Sequence, residues 1–488
     1  MSKRLEELVR GIPCTIHGNP KVEIKGIAYH SARVTPGSLF VAIDGFRVSG
    51  SKFIDDAVNR GAVAVAATDL NLVPRKWVNT AVTSTPRRFL AQVSNRFHDF
   101  PARKLDLVGV TGTNGKTTTT WMLRAMARKQ GIEPGIIGTI EYSDGVERSK
   151  AAQTTPESLD MVEMLARMVE NKVQVCIAEV SSHALELDRV FDLDFKVAAL
   201  TNVTQDHLDF HRTIRAYQEA KLKLFTELAP TSFAVTNQDD ALGREIPHRT
   251  KAKTVVYGTR PDLEPVPDIW GRVVSVEPDG LATEISHQGR VLPVRLRLVG
   301  RYNLPNLLAA FSIGSCLGWD PDQMAAGAES LESVPGRLER VETGRDFWVY
   351  VDYAHTPDAL RRVLETVREF SKGRLICVFG CGGDRDQSKR PLMGKAVAEL
   401  ADLCVVTSDN PRSEQPEAII DDIVKGMNSS ERVTEPDRRE AIRKAVNAAG
   451  DGDVVVIAGK GHEEYQLVGQ ERREFDDRKV AKEILNGS

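Results

Sequence analysis

The chain has 488 residues, of which 41% are hydrophobic and 27% are charged, a composition typical of a globular protein with about three domains. Its 65 basic and 68 acidic side chains give a net charge of −3, which argues against a dedicated nucleic-acid-binding protein. No apolar run approaches the roughly 18 residues of a membrane span, no signal-peptide core is visible, and the six cysteines form no Cys-x-x-Cys pair, so we expect a cytoplasmic protein.

The first region, residues 1–102, combines short apolar runs at 38–43, 62–67 and 79–82 with a helical pattern at 86–97. Strands mixed with a helix in so short a stretch predict a small α/β domain. Residues 99–104 include Pro101, which interrupts regular structure, and they predict a linker to the next domain.

The second region, residues 103–334, alternates strand and helix patterns, which predicts a mostly parallel sheet covered by helices. Its predicted strands lie at 105–110, 135–140, 173–180, 196–201, 232–236 and 254–257. Residues 269–298 then alternate apolar and polar side chains around Asp279-Gly280 and Gln288-Gly289. This pattern predicts a small antiparallel meander, and a helix is predicted to follow at 304–317.

The third region, residues 335–488, repeats the alternation and predicts a Rossmann-like α/β domain. Predicted strands at 348–352, 375–379, 403–407 and 454–457 alternate with predicted helices at 358–370, 389–401, 416–425 and 438–448. The predicted fold class is therefore α/β with three domains: a small N-terminal domain, a central parallel-sheet domain with the meander, and the Rossmann-like domain.

A glycine-rich turn, Thr111-Gly-Thr-Asn-Gly-Lys-Thr-Thr118, joins a predicted strand to a helical pattern. Such a turn cradles phosphate, because backbone N–H groups and the positive start of the helix point at the anion. Lys116 can neutralise phosphate charge and the Thr117 hydroxyl can bind Mg²⁺. Val110 stands where the strict nucleotide-binding pattern has glycine, so a turn that only caps a helix is the alternative. The residues expected to bind the nucleotide are Gly112, Thr113, Asn114, Gly115, Lys116, Thr117 and Thr118.

Two strands that are consecutive in the chain are predicted to end in polar residues that could bind the same metal ion. Glu179 lies near the end of the strand predicted at 173–180, and His207 follows the strand predicted at 196–201. The carboxyl ends of parallel strands meet at one sheet edge, so both residues can lie beside the phosphate loop. A helix-capping role for Glu179 and an ordinary loop position for His207 are the alternatives, but next to a phosphate loop we favour metal coordination.

Together these segments resemble the Mur ligase family. The resemblance rests on Gly112-Thr-Asn-Gly-Lys-Thr117, Glu179-Val-Ser-Ser-His183, Thr201-Asn-Val-Thr-Gln-Asp-His207, Asn303-Leu-Pro-Asn306, Pro335-Gly-Arg337 and Asp352-Tyr-Ala-His355. It extends over essentially the whole chain and implies an enzyme that uses ATP to join an amino acid to a carboxylate-bearing precursor. The chain is most similar to members that add the third residue of the peptidoglycan stem, through Ser31, Pro36-Gly-Ser-Leu-Phe-Val-Ala42, Thr154-Thr-Pro156, Gly382-Gly-Asp-Arg-Asp386 and Asp409-Asn-Pro-Arg412.

For such members the resemblance implies that ATP phosphorylates the γ-carboxylate of D-Glu in UDP-N-acetylmuramoyl-L-Ala-D-Glu, after which the amine of the amino acid displaces phosphate. Lys116, His207 and Lys221 are implied to be catalytic, and Thr117, Glu179, His207 and Lys221 to hold Mg²⁺. Lys221 matches the family lysine that reacts with CO₂ to form a carbamate, which turns a cation into an anion. From the sequence alone, a lysine on a helix is more often a solvated charge.

The resemblance assigns the remaining nucleotide contacts to Asn303, Asn306, Arg337, Asp352 and His355, although Arg337 could instead form a surface salt bridge. Ser31 is expected to bind the uracil or ribose of the precursor on the first domain, and Phe46-Arg47-Val48 to form the loop beneath the pyrophosphate. The family commonly has Asp-Ser-Arg where this chain has His30-Ser-Ala32, so the detailed uridine contacts stay open. The peptide and sugar are expected to contact Gln153, Thr154, Thr155, Ser181 and Arg189.

The third domain is implied to select meso-diaminopimelate, because Asp409-Asn-Pro-Arg412 resembles the quartet of members with that specificity. Unlike lysine, this amino acid carries a distal carboxylate, which an arginine fork can bind through two parallel hydrogen bonds. Arg412 is the expected fork and Arg385 the partner of the other carboxylate. The other residues expected to line the pocket are Asp409, Asn410, Pro411, Gly459 and Glu463.

The implied protein is a monomeric enzyme of peptidoglycan precursor synthesis in the cytoplasm, with the domains 1–102, 103–334 and 335–488. A lysine-adding relative or a folylpolyglutamate-type ligase with the same ATP core is the first alternative, which the 409–412 quartet and the N-terminal domain disfavour. A non-catalytic nucleotide-binding scaffold is the second, disfavoured because Lys116, Glu179 and His207 are all present. A nucleic-acid motor is disfavoured by the charge balance.

Overall fold

A computed structural model describes residues 2–45, 48–73, 79–262, 264, 266–427 and 431–487. The chain forms two compact units, one of Met1–Ile269 with Leu308–Met324 and the other of Trp270–Leu307 with Ala325–Ser488. Among the described residues, no helix is long and apolar enough to cross a membrane.

The N-terminal part of the first unit contains a five-stranded sheet, a separate pair of strands and the helices between them. Its elements are β1 (Lys3–Arg4), α1 (Leu5–Leu8), β2 (Thr15–His17), β3 (Glu23–Ile24), β4 (Gly26–Ala28), β5 (Ser38–Val41), α2 (Ile54–Asn59), β6 (Ala64–Ala67), β7 (Thr80–Val82) and α3 (Pro86–Phe97). The strand order is β2-β7-β6-β5-β4, with β4 to β7 parallel and β2 antiparallel, and β1 pairs with β3 separately. The predicted linker at 99–104 is not an open connection, because Ala102 is 3% exposed in the core below the next sheet.

The second sheet is formed around the strand that precedes the phosphate loop. Its elements are β8 (Asp106–Thr111), α4 (Lys116–Lys129), β9 (Gly135–Ile137), β10 (Glu141–Ser143), β11 (Arg148–Lys150), α5 (Ser158–Glu170), β12 (Val175–Glu179), α6 (Ser182–Glu186), β13 (Val197–Leu200), α7 (Leu208–His211), α8 (Ile214–Thr226), β14 (Phe233–Asn237), α9 (Ala241–Glu245) and β15 (Lys253–Gly258). The strand order is β11-β10-β9-β12-β8-β13-β14-β15, parallel from β9 to β15.

This order confirms that the two strands predicted to carry metal ligands flank the phosphate-loop strand. Glu179 of β12 is in register with Val110 of β8, and Leu200 of β13 is in register with Thr111. Val110 is therefore a buried strand residue rather than part of the turn. The strand predicted at 135–140 ends earlier, at Ile137, because the Thr139 backbone N–H turns toward Glu179 instead of continuing the ladder.

An antiparallel meander and two helices follow. They are β16 (Ile269–Glu277), β17 (Gly280–His287), β18 (Arg290–Leu296), α10 (Asn303–Cys316) and α11 (Pro321–Glu329). The predicted turns lie between the strands, and Gln288 and Gly289 both have positive φ, +50° and +76°, as a two-residue hairpin turn requires.

The second unit carries a six-stranded sheet. Its elements are β19 (Glu339–Val341), β20 (Trp348–Asp352), α12 (Pro357–Arg368), β21 (Leu375–Phe379), α13 (Lys389–Leu400), β22 (Leu403–Thr407), α14 (Pro416–Val424), β23 (Arg432–Glu435), α15 (Arg438–Ala448), β24 (Val454–Ala458), β25 (Tyr465–Val468), β26 (Glu471–Glu474) and α16 (Asp477–Gly487). The order β19-β20-β24-β21-β22-β23 is parallel except for β19, and β25 forms a hairpin with β26.

Alternate residues of these strands face opposite sides of the sheet. Cys377 and Phe379 pack in a core with α12 to α14, whereas Ile376 and Val378 pack in a core with α15 and α16. Helices on both faces explain why the strands are continuous apolar runs. The predicted α/β class and parallel order of this region are confirmed, although β19, β23, the β25–β26 hairpin and α16 were not predicted.

Candidate functional site

The phosphate loop leaves β8 and leads into α4 at the edge where the neighbouring strands end. Gly112 has a φ of +148°, and a Cβ there would lie 1.9 Å from Thr201 Oγ1, so the position requires glycine. Asn202, just beyond β13, accepts hydrogen bonds from Thr113 N at 2.7 Å through its carbonyl and from Asn114 N at 3.1 Å through Oδ1. The neighbouring strand end therefore fixes the shape of the loop.

Two lysines share one backbone carbonyl of this loop. Lys116 Nζ donates to the carbonyls of Gly112 and Thr113, both at 2.9 Å, and Lys221 Nζ donates to the Gly112 carbonyl at 2.8 Å. Lys221 is 1% exposed, and its Nζ lies 4.5 Å from the centre of the Tyr217 ring. The alternative that Lys221 is a solvated charge is therefore wrong. Burial, together with the positive charge of Lys116, holds the pKa of Lys221 well below its usual range, which favours the neutral amine.

Glu179 ends β12 and accepts hydrogen bonds at both carboxylate oxygens. Oε2 accepts from the hydroxyls of Thr117 at 3.0 Å and Thr139 at 2.8 Å, and Oε1 accepts from the Thr139 backbone N–H at 3.0 Å. It does not cap the following helix, because the cap of α6 is Ser181. A carboxylate in contact with a phosphate-loop hydroxyl presents the hard oxygen ligands that suit Mg²⁺.

His207 lies in the loop after β13 with a φ of +52° and an exposed side chain. Its ring centre is 4.7 Å from that of His183, which stacks on Phe210 at 4.2 Å. Burial, together with the positive charge of His207 and His211, lowers the pKa of His183 to about 4. Within the described part of the chain, no three His, Cys, Asp or Glu side chains cluster as a metal site. The predicted magnesium ligands include one carboxylate, and a carbamate on Lys221 would add a second anion.

The five residues predicted to contact the peptide and sugar lie together beyond the end of β12; they are Gln153, Thr154, Thr155, Ser181 and Arg189. Thr155 Oγ1 donates to the Glu179 carbonyl at 2.8 Å and accepts from Ser181 N at 3.0 Å. Arg189 Nη1 donates to Gln153 Oε1 at 2.6 Å and to the Thr155 carbonyl at 3.0 Å. The Thr154 hydroxyl is 3.1 Å from that of Thr139, the partner of Glu179. Hydrogen bonds therefore connect the predicted substrate residues to Glu179, the carboxylate predicted to bind the metal.

Ser31 is 6% exposed and begins a single helical turn after β4. Beside it, the Tyr29 hydroxyl and Arg33 bind the two carboxylate oxygens of Asp160, the latter at 2.6 Å. Arg33, one position beyond the usual family arginine, is thus paired within the chain. A cavity of about 620 Å³ is lined by Tyr29, Arg33, Asp160 and Gln153 among others. Phe46 and Arg47, predicted to lie beneath the pyrophosphate, are outside the described residues.

The second unit contains the other residues predicted to bind the nucleotide. Asn303 donates to the Val299 carbonyl at 2.8 Å and accepts from Asn306 Nδ2 at 3.2 Å, so the two buried asparagines form one hydrogen-bonded pair.

Asp352, at the end of β20, accepts hydrogen bonds from Leu338 N and Ala354 N, each at 2.7 Å. Burial raises the pKa of Asp352, an effect that Arg337 opposes. The Arg337 guanidinium lies 5.3 Å from the centre of the Tyr353 ring. His355 Nδ1 is 2.7 Å from the Tyr353 carbonyl, so Arg337, Asp352 and His355 surround one turn after β20.

A hydrogen-bonded network connects the residues predicted to bind the amino acid. Asn410 Oδ1 accepts from Lys460 Nζ at 3.2 Å and from Leu467 N at 2.9 Å, and Asn410 Nδ2 donates to Glu463 Oε2 at 2.9 Å. Lys460 is fully buried, and its Nζ also lies 3.1 Å from Glu463 Oε2. One ammonium thus orients both polar groups.

The two predicted arginines both lie close to Gly382. A Cβ on Gly382 would be 2.9 Å from Arg412 Nη1 and 3.7 Å from Arg385 Cγ. Arg412 has a φ of +53° and donates from Nη1 to the carbonyls of Gly383 at 2.8 Å and Asn410 at 3.4 Å. These hydrogen bonds from Nη1 hold the guanidinium against the loop backbone.

The remaining pocket residues also pack closely around these loops. Gly459 has a φ of +116°, and a Cβ there would lie 2.6 Å from Asp409 Oδ2. A Cβ on Gly383 would lie 1.9 Å from the Pro411 carbonyl. The two loops touch so closely that side chains beyond glycine do not fit between them.

Comparison with known proteins identifies the family to which this chain belongs. Three family profiles match in chain order: the Mur ligase family, catalytic domain at residues 23–99, the Mur ligase middle domain at 110–314, and the Mur ligase, glutamate ligase domain at 336–461. A UDP-N-acetylmuramoyl-L-alanyl-D-glutamate--2,6-diaminopimelate ligase from Syntrophomonas wolfei is 44% identical over 490 residues, which cover 99% of each chain. The chain belongs to the Mur ligase family.

Further Mur ligases agree with this assignment. A relative of the same name from Caldanaerobacter subterraneus is 41% identical over 484 residues, covering 99% of each chain. A solved structure titled as a UDP-N-acetylmuramoyl-L-alanyl-D-glutamate--2,6-diaminopimelate ligase has 30% identity and a TM-score of 0.70, covering 100% of this chain and 99% of that one.

Two polar residues of this Mur ligase were missed by the sequence analysis. Thr139 binds both oxygens of Glu179, and its signal was the Gly138-Thr139 pair near the end of the strand predicted at 135–140. Lys460 belongs to the Gly459–Glu463 segment, which follows the buried strand β24. Nothing in the sequence indicated that its ammonium points inward and donates a hydrogen bond to Asn410.

Proposed function

We propose that this Mur ligase uses ATP to join meso-diaminopimelate to the D-glutamate γ-carboxylate of UDP-N-acetylmuramoyl-L-Ala-D-Glu, in peptidoglycan precursor synthesis. The observation that carries the proposal is the pair of lysines at the Gly112 carbonyl, 2.8 and 2.9 Å away, on the sheet edge that also holds Glu179. The full-length similarity to relatives named UDP-N-acetylmuramoyl-L-alanyl-D-glutamate--2,6-diaminopimelate ligase supports the choice of substrates.

The first chemical step must bring a carboxylate to a polyanionic nucleotide tail. The carboxylate oxygen attacks the γ-phosphorus, the bond to the β-phosphate oxygen breaks, and an acyl phosphate and ADP form. Positive charge must offset the repulsion, because phosphoryl transfer depends on positioning and electrostatics. Lys116 supplies one charge directly, and Thr117, Glu179, His207 and carbamylated Lys221 would hold Mg²⁺. When bound, Mg²⁺ offsets further phosphate charge.

The second step forms the amide bond. The deprotonated amine of the amino acid attacks the acyl carbon, inorganic phosphate leaves with the bonding electrons, and the amine loses its second proton. The residues of the second unit act by holding the amino acid: Arg385 and Arg412 each bind a carboxylate, and Glu463 accepts the distal ammonium. The adenine of the nucleotide is assigned to Asn303 and Asn306, with His355 near the base. The phosphates and ribose are assigned to Arg337 and Asp352.

The proposal is tested by release of inorganic phosphate from ATP with each amino acid in turn. We expect turnover only when UDP-N-acetylmuramoyl-L-Ala-D-Glu and meso-diaminopimelate are both present, and a shift of the uridine-containing product by the mass of one diaminopimelate less water. Equal or faster turnover with L-lysine contradicts the specificity, and turnover with a folate in place of the muramoyl dipeptide contradicts the substrate class. We also propose that the enzyme is a cytoplasmic monomer. Light scattering of the purified chain tests the monomeric state, because a monomer has a mass of 53.8 kDa.

A further inference from the structure

A fully buried ion pair lies behind the predicted amino-acid pocket. Arg438 is 1% exposed and Asp477 is not exposed at all. The guanidinium donates from Nε to Asp477 Oδ1 at 2.8 Å and from Nη2 to Asp477 Oδ2 at 2.7 Å. The two residues begin α15 and α16, which pack on the same face of the sheet. Arginine in the first turn of a helix opposes the helix dipole, so this position is not explained by helix stability.

The other donors of this guanidinium reach two strand ends. Nη1 donates to the Ser408 carbonyl at 3.3 Å, and Nη2 also donates to the Ala458 carbonyl at 3.0 Å. Ser408 follows β22 directly, and Ala458 is the last residue of β24. The strands are not neighbours, because β21 lies between them. A single planar group therefore fixes the distance between two separated strand ends.

The residues that come next in the chain are Asp409 and Gly459, both expected to contact the amino acid. Gly459 approaches Asp409 so closely that a Cβ would lie 2.6 Å from Oδ2. A small change in the spacing of the two strand ends would therefore move both groups, and productive geometry at binding sites tolerates only about 0.5 Å.

We propose that Arg438 and Asp477 are positioning residues that set the spacing of Asp409 and Gly459 and thereby the affinity for the amino-acid substrate, an inference that rests on the proposed function. Stability gives no sufficient reason for the pair, because replacing a buried ion pair by apolar residues of similar volume is often neutral or stabilising. The pair is retained here because no apolar side chain can donate to both strand ends.

The test uses the full-length double variant Arg438→Met/Asp477→Leu, which leaves no unpaired buried charge. We expect the KM for meso-diaminopimelate to rise by about 10- to 100-fold, while the KM for ATP and for the UDP-linked dipeptide stays unchanged. Arg438→Lys is the second variant: it keeps the charge but lacks the planar fork, and it should raise the same KM. If the double variant does not fold, Arg438→Lys carries the test.

The control is Arg374→Met, which breaks an Arg–Asp pair at the opposite end of the same sheet. Arg374 Nη2 lies 3.0 Å from Asp453, and the two residues precede β21 and β24. This variant should leave all three KM values unchanged.

An unchanged KM for meso-diaminopimelate in a folded variant overturns the positioning role, and so does an equal rise of all three KM values, which would indicate a general structural role. Failure of the wild-type enzyme to turn over meso-diaminopimelate would instead contradict the proposed function.

Discussion

Substitution of Arg412 tests the selection of the amino acid. In Arg412→Ala the loop loses a guanidinium that donates hydrogen bonds from Nη1 to the carbonyls of Gly383 and Asn410. The opposite edge, Nε and Nη2, is the part expected to bind the distal carboxylate of meso-diaminopimelate through two parallel hydrogen bonds. The variant therefore removes a charged fork and two contacts with the loop backbone.

The magnitude follows from the half-buried position of the side chain. Truncating one partner of a buried, hydrogen-bonded charge pair costs about 2–5 kcal/mol, and partial exposure of Arg412 places the loss in the lower part, about 2–4 kcal/mol. Since 1.4 kcal/mol corresponds to a factor of ten, kcat/KM for meso-diaminopimelate should fall by roughly 30- to 1000-fold. Arg412→Lys keeps a charge without the fork and should give an intermediate loss.

The assay is phosphate release with meso-diaminopimelate and with L-lysine, each measured for wild type, Arg412→Ala and Arg412→Lys. Lysine has no distal carboxylate, so its kcat/KM should change little and the selectivity ratio should fall by nearly the whole factor. Two results would refute the reasoning: an unchanged kcat/KM for meso-diaminopimelate, or an equal loss for both amino acids, which would mean that Arg412 only supports the loop.

Three further substitutions probe buried polar groups. Lys221→Met should abolish ligase activity yet raise the melting temperature, because it removes the free-energy cost of burying and deprotonating this lysine beside Lys116. Thr139→Val should lower kcat/KM by about 10- to 100-fold by loosening Glu179, and it should also lower the melting temperature, because the buried carboxylate loses a hydrogen bond worth about 1.5–3 kcal/mol. Lys460→Met should lower the free energy of unfolding in denaturant titrations by about 1–3 kcal/mol, because Glu463 loses a buried partner.

Each of these has a matched control. The lowered pKa of Lys221 means that the unfolded chain binds the extra proton between that pKa and the ordinary lysine value. Wild-type stability therefore rises with pH in this window, and the advantage of Lys221→Met should shrink as the pH rises; a lower melting temperature at neutral pH contradicts the prediction. Thr139→Ser keeps the hydroxyl and should retain activity. Adding Glu463→Gln to Lys460→Met should restore part of the lost stability, and no recovery would show that the carboxylate is not the cause.

The sequence predicted the four buried strands of the second unit and the sheet edge that holds the phosphate loop, because those features are local. The strands Trp348–Asp352, Leu375–Phe379 and Leu403–Thr407 have the predicted bounds, since buried parallel strands are continuous apolar runs. The α/β class and the Mur ligase family are confirmed. The domain boundaries, the roles of the individual site residues, the carbamate and the magnesium site stay predictions.

What the sequence could not give is contact between distant segments. Edge strands such as β19 and β23 are short and half exposed, so they lack the apolar run that marks a strand. The inward turn of Lys460 depends on Asn410, fifty residues earlier in the chain. Arg438 resembles any helical arginine until the sheet places Ser408 and Ala458 on either side of it. Long-range pairing decides these positions, and local patterns do not record it.

The position of β24 within its sheet constrains how the polypeptide can acquire its structure. β24 pairs with both β20 and β21, yet it is the last strand of that sheet to leave the ribosome, about a hundred residues after β20. Until Val454–Ala458 emerges, the facing edges of two very apolar strands have no partner. The six-stranded sheet therefore cannot form completely until β24 has been synthesised. A chain truncated before residue 454 would leave the edges of β20 and β21 unpaired at the centre of the sheet, where they could aggregate.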